Sequence, residues 1–233
     1  MTKSGNWLIA AVILALGMIV GGYLLGDGLT RANLSDRSVT VRGLAEREVT
    51  ADLATWTIRF TAQGNDFETV KRQTGAMANS ARMFLKEQGF ADAAISAPEL
   101  SVNQWMNGTI PQVQIRQAIR LNTNDIARAE KAYAAQGALL DRGVAIEQGG
   151  AAMVYSFTRL TELKPEMIAE ATKDARAAAE QFARDSGASV GGIKSARQGY
   201  FSIDARDGAV GSSGDSPAQK VRVVTTVDFY LRD

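Results

Sequence analysis

The stretch that decides the fold is Val49 to Ala62, VTADLATWTIRFTA. Its second half alternates: Trp56, Ile58, Phe60 and Ala62 project to one side, and Thr55, Thr57, Arg59 and Thr61 to the other. Successive side chains of a strand point to opposite faces, so this pattern predicts a strand with one face in a core and one in water. Strands of that kind build antiparallel sheets covered on one side.

Working outward, Ser38 to Arg42 reads as a short preceding strand, and Gly64-Asn65-Asp66 ends the central one. Asn65 with Glu68 forms a capping box for a helix running to about Gln88, with Phe67, Val70, Met77, Ala81 and Phe84 as its apolar stripe and Gly89 as its stop. Glu99 to Met106 and Val113 to Asn122 form a hairpin around Asn107-Gly108-Thr109-Ile110-Pro111, with an Asn-Gly turn signal at its start. Asp125 to Ala135 is a shorter helix closed by Gly137, with apolar cover from Leu139 and Leu140. Ala151 to Leu160 returns to strand alternation, with Met153, Tyr155 and Phe157 on one side.

Pro165 suits the first turn of the longest soluble helix, which continues to Ser186. Its stripe, Ile168, Ala171, Ala175, Ala178 and Phe182, is mostly alanine and predicts close approach to a neighbour. Val190 to Phe201 is a glycine-interrupted strand, Ser202 to Gln219 has loop composition, and Lys220 to Leu231 closes the chain with Val221, Val223, Thr225, Val227, Phe229 and Leu231 at period two. The order predicts an α+β fold, mainly antiparallel sheet with packed helices. It also raises a duplicated strand-strand-helix unit.

The first apolar run, Trp7 to Leu25, carries no charge and is 19 residues long, enough for one helical bilayer span. It exceeds a usual signal-peptide core, so a retained signal anchor is expected over residues 7–25, with a cleaved signal peptide ending near Thr30-Arg31-Ala32 as the alternative. Lys3 and the amino terminus precede the run, which favours residues 1–6 in the cytoplasm, a linker over 26–37 and the α+β domain, 38–233, on the far side. Gly17 with Gly21, and Gly22 with Gly26, match the GxxxG spacing that lets membrane helices pack closely.

The 26 Lys and Arg nearly balance the 25 Asp and Glu and are scattered, so no field favours nucleic acid. Cysteine and histidine are both absent, which removes thiolate nucleophiles, imidazole bases and the usual zinc ligands. No cofactor or metal is expected.

Val39-Thr40-Val41-Arg42-Gly43, Asp52-Leu53-Ala54, Leu139-Leu140-Asp141, the alanines at 171, 175, 179 and 183, Ser186-Gly187-Ala188 and the Val-rich final strand together resemble the SIMPL-domain family. The family commonly has proline where this chain has Ala51. The resemblance implies an envelope protein of the bacterial inner membrane or periplasm, self-associating and loosely linked to stress tolerance, with no catalytic residues to transfer. The expectation is a membrane-anchored, homo-oligomeric, non-enzymatic scaffold, partnered by an unidentified envelope protein. The alternatives are a periplasmic ligand- or protein-binding module and a carboxylate-dependent enzyme.

Other motifs have plain explanations. Gly187 to Ser195 (GASVGGIKS) superficially imitates a phosphate-binding loop, yet Ile193 interrupts its Gly-Lys step and a strand follows where a helix is needed. Asp204, Asp207 and Asp215 lack a calcium-loop spacing, and Glu46, Glu48 and Asp52 fit turn chemistry. The sequons at Asn33 and Asn107 are short enough to arise by chance.

Overall fold

The computed structural model describes residues 13–24, 37–208 and 214–232. A first helix, α1, occupies residues 13–24. It is followed by β1 (Ser38–Thr50), β2 (Leu53–Gly64), α2 (Phe67–Glu87), a 3-10 turn, β3 (Ile95–Asn107), β4 (Ile110–Thr123), α3 (Ile126–Ala134) and α4 (Gly137–Asp141). The remaining elements are β5 (Ile146–Ser156), α5 (Leu160–Asp185), β6 (Ser189–Ala205) and β7 (Ala218–Arg232). The strands form a four-stranded sheet in the order β3-β4-β2-β5 and a three-stranded sheet in the order β1-β7-β6. This is the α+β class read from the sequence, with antiparallel pairing along β3-β4-β2-β5.

The chain divides into two compact units. The larger holds residues 46–165 and 201–222. Its core is built as the alternation in β2 dictates: Trp56, Ile58 and Phe60 are fully buried, and the register sets Leu121 beside Trp56 and Ile119 beside Ile58. Helix α2 covers this face with Val70, Met77, Ala81, Phe84 and Leu85. Trp56 meets Phe84 and Tyr133 edge-on, at ring-centroid distances of 6.2 and 5.5 Å.

The smaller unit holds residues up to Ala45, 166–200 and 223–233. Here Val41, Ala175, Ala179, Val227 and Phe229 are buried together. A Cβ on Gly43 would stand 1.9 Å from the Ala171 carbonyl oxygen and 2.8 Å from the Ala175 Cβ, so only glycine fits where β1 meets α5. The Asp174 carboxylate accepts the Leu44 N–H at 2.9 Å and fixes the same contact.

Several local expectations shift. Asp66, not Asn65, caps α2, its carboxylate accepting the Thr69 N–H at 2.8 Å. The hairpin loop contracts to Gly108-Thr109, with positive φ at Gly108 alone, as a type II′ turn requires. Gly137 opens α4 instead of ending α3, and Leu140 is exposed. Helix α5 starts at Leu160, so Pro165 lies inside it; Asp52 holds the chain just ahead, accepting from the Thr158 N–H and hydroxyl and from Arg159. The buried ridge of α5 is Met167, Ala171, Ala175, Ala179 and Ala183, and Phe182 is exposed. Strands β6 and β7 extend into the stretch read as loop, and Gln219 is buried. The two strand-strand-helix runs are not built alike, since β1 and β2 lie in different sheets while β3 and β4 pair.

Among the described residues no helix is long and apolar enough to cross a membrane. The expected transmembrane helix over 7–25 is thereby not supported by the described part, which is the twelve residues of α1; residues 7–12 and 25 lie outside it.

Candidate functional site

Among the described residues β3 ends its sheet and has β4 on one side only. Along β3 only Ile95 is buried and only Ser101 half-buried; the rest is exposed, including Leu100, Val102, Trp105 and Met106. Ile110, just past the turn, is exposed as well. Beside this strand runs an apolar groove of about 280 Å3, walled by Phe67, Thr74 and Gly75 of α2 and by Leu100, Val102 and Ile115 of the sheet. Gly75 has nothing within 4 Å of where a Cβ would stand, which leaves the groove open on the helix side. Contiguous exposed apolar surface of this kind marks an interaction site. Its sequence signal is the run Leu100 to Ile115, which contains no charged residue and flanks the Asn-Gly turn.

The opposite face of the four-stranded sheet is polar. Glu147 accepts from the Thr61 hydroxyl and from Arg116 Nε, the latter at 2.8 Å, and these bonds, Thr61 first, hold its carboxyl below the usual range. Arg59 meets Glu99 at 3.5 Å, and the Thr55 hydroxyl donates to Asn122 at 3.0 Å. These pairs satisfy one another across strands, as a wet sheet face does.

A second cavity, about 260 Å3, lies among Tyr155, Ser156, Phe157, Ile203 and Gln219. Gln219 Nε2 donates to the Tyr155 carbonyl at 3.0 Å, while its Oε1 is buried without a partner among the described residues. Burial, and then the nearby Glu130 carboxylate that accepts from the phenol at 3.2 Å, push the Tyr155 hydroxyl up to about 12. The phenol therefore stays protonated at neutral pH.

Three of the acidic residues singled out in the sequence go to separate partners. Glu46 lies 3.6 Å from both Lys220 and Arg222, Asp207 pairs with Arg206, and Asp52 holds Thr158 and Arg159. No group of three metal-ligating side chains converges among the described residues. Gly187, with φ of 71°, ends α5 and leads into β6, which is a helix stop and not a phosphate loop. Gly17, Gly21 and Gly22 lie on α1 with nothing within 4 Å of a built Cβ, and Gly26 lies outside the described residues.

No curated protein matches the chain. A crystal structure titled as a hydrolase from Listeria innocua aligns at 14% identity over 80% of this chain and 91% of that one, with a TM-score of 0.18, too low to bear on fold or activity. The family model described as "SIMPL: Protein of unknown function" matches residues 39–229, from β1 through β7, so that the chain belongs to the SIMPL family.

Proposed function

We propose that this chain is a membrane-anchored bacterial envelope protein that assembles with copies of itself and serves as a non-catalytic binding scaffold, with a role in stress tolerance. The observation that carries the reading is the exposed apolar surface of the β3–β4 hairpin, on a domain where Glu46, Asp52 and Asp207 are engaged in separate structural pairs. Anchoring is supported by the uncharged run 7–25, which is long enough for one helical span. The N-inside orientation places the SIMPL domain in the periplasm.

Two measurements test this. Full chain purified in mild detergent should run as an oligomer by light scattering or native mass spectrometry at micromolar concentration, and a strict monomer would sink the assembly claim. The protein should stay with the inner membrane through carbonate extraction with its amino terminus intact; a mature chain starting near Asn33 would sink the anchor.

A periplasmic small-ligand module is the second reading, favoured by the buried Gln219 Oε1, which has no partner among the described residues, beside the 260 Å3 cavity. Replacing Gln219 with Leu separates the two, since assembly should be untouched and any ligand binding lost.

A further inference from the structure

The open edge of β3 supports a deeper inference, which rests on the self-assembly reading above and names its contact. Asn107 and Ile110 close a two-residue loop and so exchange both of their backbone hydrogen bonds. Alternation then commits Ser101, Asn103 and Trp105 to β4 and turns the N–H and C=O groups of Leu100, Val102, Gln104 and Met106 toward the free edge. Such a row of unpaired groups accepts one kind of occupant, another extended strand.

Proteins guard such edges with charges, prolines and bulges. Here the register shift between Ser96 and Glu99, with Pro98 inside it, guards only the first end of β3. From Leu100 to Ile115 no residue is charged. That absence suits a second copy: two identical strands related by a two-fold bring like residues near one another, and a charged strand would repel its own copy. Protrusion and groove also lie on one patch, as a contact between identical surfaces requires. Leu100, Val102 and Met106 stand 67, 44 and 62% exposed on the side where α2 and the 280 Å3 groove lie.

We propose that the β3 edges of two copies of this chain pair antiparallel about a two-fold axis at Asn103, joining two four-stranded sheets into one. In this register Val102 of one copy exchanges backbone hydrogen bonds with Gln104 of the other. Leu100 faces Met106, Ser101 faces Trp105, and Glu99 faces Asn107, so no like charges meet. The aliphatic side chains of each copy cover the groove beside α2 of the other.

The test uses full chain in mild detergent. The protein has no cysteine, so Asn103→Cys introduces a single thiol. In the proposed register the two Asn103 positions form a non-hydrogen-bonded pair with Cα atoms about 4.5 Å apart, within disulfide reach. Mild oxidation should give a covalent dimer as the main product, and Asn107→Cys should not. Gln104→Pro removes one edge donor while leaving the β3–β4 ladder intact, and should weaken association at least tenfold with unchanged circular dichroism.

Wild-type assembly that survives Gln104→Pro and does not crosslink through Asn103→Cys overturns the edge contact and leaves self-assembly standing. A monomeric wild type overturns both. An Asn103→Cys thiol that crosslinks to a different protein and not to its own copy assigns the edge to a foreign strand and overturns the proposal too.

Discussion

The two units solve the same problem, a helix on a sheet, with opposite materials. In the larger unit Trp56, Phe60, Phe84 and Leu85 fill the space between α2 and the sheet with bulk. In the smaller one Gly43 and the alanines at 171, 175 and 179 remove bulk, so that backbone nearly touches backbone. The first arrangement is stabilised by apolar area and aromatic contacts, and suffers from cavities. The second is stabilised by close approach, and suffers from any added atom.

Trp56→Ala should have the largest effect, about 3–5 kcal/mol, read from urea or thermal unfolding, because a fully buried indole leaves a void that its rigid neighbours cannot close. A loss under about 1 kcal/mol would mean that the core repacks and the contrast is false. Gly43→Ala tests the other side: one methyl must displace the Ala171 carbonyl, and a loss of about 1–3 kcal/mol is expected from an addition that is harmless at most sites. A neutral outcome would show that β1 and α5 slide apart freely.

Asp52 belongs to the larger unit and ties the β5–α5 connection. Burial raises its pKa, but the hydrogen bonds from Thr158 and Arg159 outweigh this and hold it below the ordinary aspartate value. A depressed carboxylate stabilises the fold fully above its unfolded pKa of about 3.9 and loses that contribution as pH falls through the folded value. Asp52→Asn should therefore cost on the order of 1 kcal/mol at pH 7 and progressively less below pH 4. Equal losses at pH 7 and pH 3 would assign the role to shape and not to charge. Phe182→Ser should change stability least, within about 0.5 kcal/mol, since the ring is 64% exposed on the outer side of α5.

That last position shows where reading by period falls short. Alternation in β2 placed Trp56, Ile58 and Phe60 inward and needed no correction, because period two leaves no freedom once one face is buried. On α5 a stripe through Ile168, Ala178 and Phe182 and one through Met167, Ala179 and Ala183 lie about one residue apart on the helix surface, and hydrophobicity favours the wrong one. The contact with Gly43 decides, since it admits only small side chains. The same limit hid the β3 surface: both hairpin strands were legible, but which of them ends the sheet depends on β2 and β5 packing against β4 and β2.

By itself, then, the sequence determined the α+β class, the inward face of each strongly alternating strand, the lack of imidazole and thiol chemistry, and the family to which the chain is similar; all of these follow from residue type and local period. Tertiary structure alone decided that β3 is an edge, that Asp52 anchors the start of α5, that Gln219 is buried with an oxygen unpartnered among the described residues, and that α5 turns its alanines and not Phe182 inward. Each of these depends on a neighbour distant in the chain, and no local pattern encodes the identity of that neighbour.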